Sequence, residues 1–214
     1  MARTIDLLAE LVPEHCTGCT ICERVCPTLA ITMVPNVPGA MPTKLPVIAA
    51  EACVGCWACE QRCPEEGALR MIRHPSPSRV EVSTHDVDYA EVQAICRKAH
   101  INPEQVVCFC TLTRAEEVVA GILKGHTTPE QLSYETGIRT GCKVECAEPL
   151  LRLLDAAGFP LKRVEKGWQL MGLTPTIWDI SEEVKAKYAS RGFYFEEDIA
   201  LMNEIVECPK QGGH

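Results

Sequence analysis

The 214-residue sequence has few aromatic residues and little positive charge. Aromatic residues make up 5% of it, and 21 Lys and Arg stand against 29 Asp and Glu, which gives a formal net charge of −8. Nucleic acids and anionic membrane surfaces are bound through clustered positive charge, and no run of Lys and Arg alternates with aromatic residues. We therefore expect neither kind of partner.

Long apolar runs are absent as well. No window approaches the roughly 18 uncharged apolar residues that a membrane-spanning helix needs. The N-terminal segment has Asp6 and Glu10 inside its apolar run and lacks a small-residue cleavage site, so it predicts a short amphipathic helix and no export signal. We expect a cytoplasmic protein without membrane insertion.

The common catalytic motifs are also missing. The sequence has no G-x-G-x-x-G after a strand, no phosphate-binding loop, no G-x-S-x-G and no two-metal carboxylate cluster. It offers no recognisable place for a substrate, which favours a non-catalytic protein.

Cysteine, in contrast, is abundant, with 14 residues in the chain. Structural disulfides are rare in the reducing cytosol, so metal ligation is the better explanation. Cys96 and Cys208 stand alone, and we treat them as non-ligands. The others form three groups of four, which are Cys16, Cys19, Cys22 and Cys26; Cys53, Cys56, Cys59 and Cys63; and Cys108, Cys110, Cys142 and Cys146.

The first two groups form an internal repeat. The segments CTGCTICERVCP at 16–27 and CVGCWACEQRCP at 53–64 align without a gap at an offset of 37 and share seven identities, among them a Gly before the second Cys and a Glu after the third. Zinc sites typically have two separated C-x2-C pairs, which a third Cys overcrowds. The run C-x2-C-x2-C-x3-C-P is instead typical of [4Fe-4S] ligation, and zinc remains the alternative.

Residues 10–84 resemble a dicluster ferredoxin domain of the bacterial type. The resemblance implies two [4Fe-4S] clusters in a small pseudo-twofold α+β fold with a short hairpin at each end. It also implies that the fourth cysteine of each motif crosses to the other cluster. The implied ligand sets are Cys16, Cys19, Cys22 and Cys63 for one cluster, and Cys53, Cys56, Cys59 and Cys26 for the other.

Two segments of this domain carry further expectations. The link at 34–47 contains four prolines, so we expect an extended, exposed loop that covers a cluster or contacts a partner. After Pro64, ALRMIR and RVEVST predict two strands joined by a turn at HPSPS. Because each motif has few apolar residues, cluster bonding must replace much of the core.

The sequence from Asp88 onwards has helical periodicity. Asp88 begins a helix of about three turns, with Cys96 on its apolar face as a buried small hydrophobe. Three further helices are predicted: one with a Thr113–Glu116 capping box and an end at Gly125, one from Thr128 to Gly137, and one that ends at Gly158. The third cysteine group flanks these helices, whose N-terminal ends stabilise thiolates, so its two pairs can meet at a binuclear site.

Residues 105–158 resemble the bacterioferritin-associated ferredoxin type of [2Fe-2S] domain, which has C-x-C, about thirty residues of paired helices, and then C-x2-C. VVCFC, the 31 residues between Cys110 and Cys142, and GIRTGC carry this resemblance. It implies one [2Fe-2S] cluster on Cys108, Cys110, Cys142 and Cys146. Three residues separate the last two cysteines here, and i to i+4 spacing on a helix still lets both ligate. A four-cysteine zinc site and redox-active thiols are the alternatives.

The expected organisation is α+β: a dicluster ferredoxin domain at 1–85, a linker helix at 86–104, a small all-helical [2Fe-2S] domain at 105–158 and a helical extension at 159–214. The extension predicts two helices, the first capped by Ser181. Its aromatic residues are expected to pack on the preceding domain or to dock a partner. They are Trp168, Trp178, Phe193, Tyr194 and Phe195.

Three electron carriers without a substrate site favour an electron-transfer subunit, in a hetero-oligomer with flavin- or metal-cofactor-containing oxidoreductase subunits. That assignment to a complex rests on analogy. A free ferredoxin shuttle and an iron or redox sensor are the alternatives.

The cluster assignment predicts the iron content. Anaerobically purified chain should contain about ten irons, four plus four plus two, with matching acid-labile sulfide. A colourless protein that contains zinc in place of iron would contradict it.

Overall fold

The N-terminal part of the chain contains one structural unit twice, as its sequence does. In the computed structural model, which describes residues 2–162 and 172–207, each unit has a strand, a cysteine loop, a five-residue helix and a second strand. The first unit comprises β1 Ala2–Leu11, α1 Ile21–Val25 and β2 Ile31–Pro35. The second comprises β3 Lys44–Ile48, α2 Ala58–Arg62 and β4 Leu69–Glu81.

The strands pair between the two units. β1 is antiparallel to β4, and β2 is antiparallel to β3, so each two-stranded sheet joins one unit to the other. The first sheet joins the first strand of the first unit to the last strand of the second unit. The second sheet joins the two strands that lie between them in the sequence. This mixed arrangement of helices and small sheets agrees with the α+β expectation.

The prediction of an N-terminal helix is wrong, because that segment is strand β1. Asp6 and Glu10, the charged residues inside its apolar run, accept hydrogen bonds across the sheet from Arg73 at 2.8 Å and Arg70 at 2.6 Å. Pairing with a distant strand supplies these partners, and cross-strand pairs stabilise a sheet. Local periodicity could not reveal that strand.

The prediction of two strands joined by a turn after Pro64 is also wrong. The segment is the single strand β4, which pairs along β1 with an irregularity in register: Ile5 lies opposite Ser78, and Leu7 lies opposite Arg73. The intervening residues of β4 include two prolines. Since proline has no N–H to donate, it is tolerated where the ladder is interrupted by a bulge.

The proline-rich link between the motifs forms the β2–β3 hairpin. Its connection is held by the Asn36 side-chain amide, which donates to the Pro42 carbonyl at 2.9 Å. Gly18, with φ +72°, has no room for a side chain, because a Cβ there would lie 2.8 Å from both the Pro42 Cβ and the Lys44 carbonyl oxygen. The link therefore covers the first cysteine loop and leaves Met41 84% exposed at its tip.

The second half of the chain is mainly helical. Its elements are α3 Tyr89–Lys98, β5 Val106–Cys108, β6 Thr113–Arg114, α4 Ala115–Leu123, α5 Pro129–Thr136 and α6 Ala147–Ala156. The antiparallel pair β5 and β6 corrects the expectation of an all-helical domain. Cys96 is buried in the core, as predicted, among the apolar side chains of α3, α4 and α6.

Most of the predicted helix ends are confirmed. Asp88 caps α3, Thr128 caps α5 with Pro129 at its first position, and Gly137 ends α5 with φ +80°. The prediction that Thr113 begins the capping box of α4 is wrong by one residue. Thr113 pairs with Cys108 in the β5–β6 ladder, so α4 is capped one residue later, at Arg114.

The extension forms α7 Glu182–Ala189 and α8 Phe195–Glu207, and Ser181 caps α7 as predicted. The Trp178 ring stacks on His100 at 4.0 Å, and the Asn102 amide donates to the Ile205 carbonyl at 2.8 Å, so the extension packs against the loop after α3. Trp168 and Cys208 lie outside the described residues. In the described part of the chain, no helix has both the length and the apolar character to cross a membrane.

A glutamate joins helix to strand in each unit, buried in the first unit and half-buried in the second. The Glu23 carboxylate accepts from the Met33 backbone N–H at 2.9 Å, and Glu60, its equivalent in the repeat, accepts from the Met71 N–H at 2.8 Å. The glutamate shared by the two motifs therefore connects each short helix to the strand that follows it.

Glu23→Ala should lower the free energy of unfolding by about 1–3 kcal/mol, because the Met33 N–H is left buried without an acceptor. Anaerobic denaturant unfolding followed by visible absorbance measures this change. Glu51→Ala, at an exposed position, is the control, and equal stability of the two variants would contradict the prediction.

Candidate metal centres

The first centre brings together cysteines from both motifs. Cys16, Cys19 and Cys22 lie in the loop and first turn that lead into α1, and Cys63 follows α2. All four line one cavity with about 330 Å³ free of protein atoms, whose walls include Met33, Pro46 and Leu69. The side chain of Cys63 thus joins the three cysteines of the other motif.

The second centre repeats this arrangement with the motifs exchanged. Cys53, Cys56 and Cys59 surround a cavity with about 300 Å³ free of protein atoms, and Cys26, which follows α1, completes its cysteine lining. Each cavity is therefore lined by three cysteines of one motif and the fourth of the other, the grouping that the ferredoxin resemblance implies.

Backbone geometry directs amide groups towards the sulfurs. The Ala30 N–H donates to Cys26 Sγ at 3.2 Å, and the Gly18 N–H donates to Cys16 Sγ at 3.4 Å. Thr20 and Trp57, at equivalent positions of the repeat, both adopt left-handed backbone with φ 69° and 65°. This conformation is uncommon for residues other than glycine, and strained backbone of this kind is concentrated at functional sites.

Burial controls the protonation of these thiols. The pKa of Cys22 is raised to about 11 and that of Cys59 to about 12, mainly by burial and to a smaller extent by nearby cysteine sulfurs. Thiolates are the species that bind metal. Binding iron at these positions must therefore release protons, which couples ligation to pH and to folding.

The third centre is built by two loops of the helical part. Cys108 ends β5, Cys110 lies in the turn that follows, Cys142 lies in the loop after α5, and Cys146 caps α6. The Cys142 N–H donates to Cys110 Sγ at 3.3 Å. The expectation that Cys142 and Cys146 share a helix face is wrong, because α6 begins after Cys146 and Cys142 reaches the site from the loop.

Close packing holds these two loops together. A Cβ on Gly141 would lie 2.3 Å from the Cys110 Cβ, so only glycine fits at this position. Lys143 adopts left-handed backbone with φ 66°, which turns the chain between Cys142 and Cys146. The two cysteine loops are therefore in direct contact, and all four cysteines lie at their junction.

Hydrogen bonds shift the pKa values of three cysteines in the third centre. The backbone N–H groups of Val144 and Glu145 lower the pKa of Cys142. A hydrogen bond from Cys146 lowers the pKa of Cys108, and the same bond raises the pKa of Cys146. Hydrogen bonding therefore favours the thiolate at Cys108 and Cys142 and the thiol at Cys146.

These donor sets fit iron–sulfur groups. Four thiolates are the ligand set of both [4Fe-4S] and [2Fe-2S] clusters, and the first two sets surround cavities. Within residues 2–162 and 172–207, no three His, Cys, Asp or Glu side chains converge as ligands of a single ion do. Cys96 lies apart in the core, where burial raises its pKa to about 12.

Comparison with known families bears on the first two centres. Residues 15–67, which include both motifs and both cavities' cysteines, match the family model of the 4Fe-4S dicluster domain. The chain carries a ferredoxin-like iron–sulfur domain. This ferredoxin-like domain provides 4Fe-4S cluster binding and iron–sulfur electron transfer. No curated protein and no solved structure matches the chain.

Sequence reasoning missed the cations between the second and third centres. Arg3 on β1 donates to the Tyr134 carbonyl at the end of α5 and lies within electrostatic reach of Cys56. Lys143 acts on the Cys56 thiol as well, although burial, the larger effect, raises the pKa of that thiol. Arg139 lies within electrostatic reach of Cys26. Only the folded chain brings these three residues near the cysteines of the second centre.

The prediction that Cys26 and Cys63 each ligate the cluster of the other motif can be tested by combining substitutions. Cys16→Ser/Cys19→Ser should lose the first centre and retain about six irons. Adding Cys63→Ser should then cost no further iron, whereas adding Cys26→Ser should leave about two, because Cys26 belongs to the second centre.

Anaerobic iron analysis of the wild-type chain and these three variants, with visible and EPR spectra, gives these numbers. Cys96→Ser is the control and should keep full iron, since Cys96 lies in the core away from all three centres. The reverse pattern, with loss on adding Cys63→Ser and none on adding Cys26→Ser, would show that each motif holds its own cluster.

Proposed function

We propose that this chain relays single electrons through two [4Fe-4S] clusters and one [2Fe-2S] cluster between catalytic subunits of an oxidoreductase. The observation that carries the proposal is the assembly of twelve cysteines into three groups of four that follow one another through the fold. The proposed ligands are the cysteines of the three centres described above. In this reading the protein is a cytoplasmic, non-catalytic subunit of a hetero-oligomer.

Their order supports a relay with the second centre in the middle. The first and second centres share both motifs, so α1 and α2 each contact both of them. The second and third are joined by Arg139, which lies within electrostatic reach of Cys26 and of Cys146.

The first and third centres, at the two ends of this series, have the cysteines that are most accessible to solvent. Cys19 of the first centre is exposed, and so are Cys110 and Cys142 of the third. In the second centre Cys26, Cys53 and Cys59 are buried. Electrons that enter at one end and leave at the other would thus pass through a shielded middle centre.

The third centre also has an apolar rim. Phe109, Leu112 and Val144 are 71%, 56% and 72% exposed, and all three lie on the loops that carry the cysteines. Exposed apolar side chains grouped around a functional site are typical of a protein interface. We assign this edge to a partner subunit with a flavin or metal cofactor.

The test uses the complex purified anaerobically from its native cells, with Cys110→Ser to remove the third centre. We expect the variant complex to keep the [4Fe-4S] EPR signals and each partner's activity with artificial dyes, and to lose most of its overall turnover. Full turnover without the third centre would contradict the relay.

Gel filtration of native extract separates the relay from a free shuttle, because a lone species of 23.6 kDa would favour the shuttle. A sensor would show partner affinity that changes with cluster occupancy, measured with the iron-loaded and iron-free chain. Affinity that is independent of occupancy, within a stable complex, agrees with the relay.

A further inference from the structure

One arginine is buried between the second and third centres. Arg139 lies in the loop between α5 and Cys142, adopts left-handed backbone with φ 67°, and is 1% exposed. Its Nη1 lies 3.6 Å from Glu130 Oε1 in α5, and the Glu130 side chain is itself 12% exposed. A buried ion pair is costly to desolvate, so its retention calls for a reason beyond stability.

The backbone of Arg139 contacts the third centre directly. Its N–H is hydrogen-bonded to the sulfurs of Cys108 and Cys146. The loop conformation that aims this N–H at the sulfurs also fixes where the side chain leaves the backbone.

The guanidinium acts on two centres at once. It lies within electrostatic reach of Cys146 in the third centre and of Cys26 in the second. Arg remains protonated in proteins, so this is a permanent positive charge. Because it is shielded from water, its field on nearby groups is stronger than that of an exposed charge.

A fixed positive charge stabilises the reduced form of a neighbouring iron–sulfur group, since reduction adds one negative charge. Net charge and hydrogen bonds to sulfur are among the factors that set the potentials of such groups. Glu130 opposes the effect of Arg139, because its carboxylate is negative. The pair therefore contains two charges of opposite sign, and each can be removed separately by substitution.

We propose that Arg139 is a positioning residue that raises the reduction potentials of the second and third centres together and so keeps them matched for electron exchange. The inference rests on the proposed function, because it requires a cluster at the third centre. In the exchange one centre loses the single electron that the other gains, and no bond or proton changes place.

The test is a potentiometric titration of the iron-loaded chain, followed by EPR, on Arg139→Gln and Glu130→Gln. In Arg139→Gln we expect a tenfold fall in the equilibrium constant for one-electron reduction of the third centre, which is about 59 mV. The second centre should shift in the same direction and the first should not. In Glu130→Gln the third centre should shift upward.

Two further variants separate charge from packing. Arg139→Lys keeps the charge and should retain most of the wild-type potential. Arg97→Gln removes a cation from an exposed ion pair with Glu207 and should change none of the three potentials. A shift of equal size in Arg97→Gln would mean that the effect belongs to net charge alone and would overturn the proposal.

Iron content distinguishes the possible failures. Unchanged potentials in fully loaded Arg139→Gln and Glu130→Gln overturn the role of Arg139 and leave the relay intact. A wild-type chain with about eight irons and no [2Fe-2S] signal overturns both. If Arg139→Gln does not load iron, Glu130→Gln decides, and the absence of an upward shift there overturns the proposal.

Discussion

Bonding between cysteine sulfur and iron is the interaction on which the N-terminal half depends. Four of the nine residues in its buried cluster are cysteines, namely Cys22, Cys26, Cys53 and Cys59, and the helices α1 and α2 have only five residues each. Such short helices gain little stability on their own. In the helical half, by contrast, a core of aliphatic side chains surrounds α4 and α6, and the cysteines lie at its edge. One half is organised around its iron–sulfur site, and the other holds the cysteines of the third centre at the edge of an aliphatic core.

This difference explains the electrostatics of the three centres. Burial raises the thiol pKa values of Cys22 and Cys59, whereas backbone N–H groups lower that of Cys142. Between the halves, Arg3 and Arg139 place positive charge beside thiolates, in a chain whose net charge is −8. The fold therefore concentrates cations where negative clusters are proposed to lie closest together.

The sequence predicted the features that depend on local chemistry. The caps at Asp88, Thr128 and Ser181 were correct, because a side-chain acceptor and its amide are only two or three residues apart. The repeat predicted which cysteines share a motif. It could not predict β1, which pairs with a strand some seventy residues away, or the position of Arg139 within electrostatic reach of Cys26 in the other half. Both depend on contacts between distant segments.

Anomalous diffraction at the iron edge, from crystals grown anaerobically, tests the central claim most directly. The account predicts three separate iron peaks, one in each of the two cavities lined by exchanged cysteines and one at the junction of the Cys110 and Cys142 loops. Anomalous signal at the zinc edge in these positions, or iron bound beside Cys96, would contradict it.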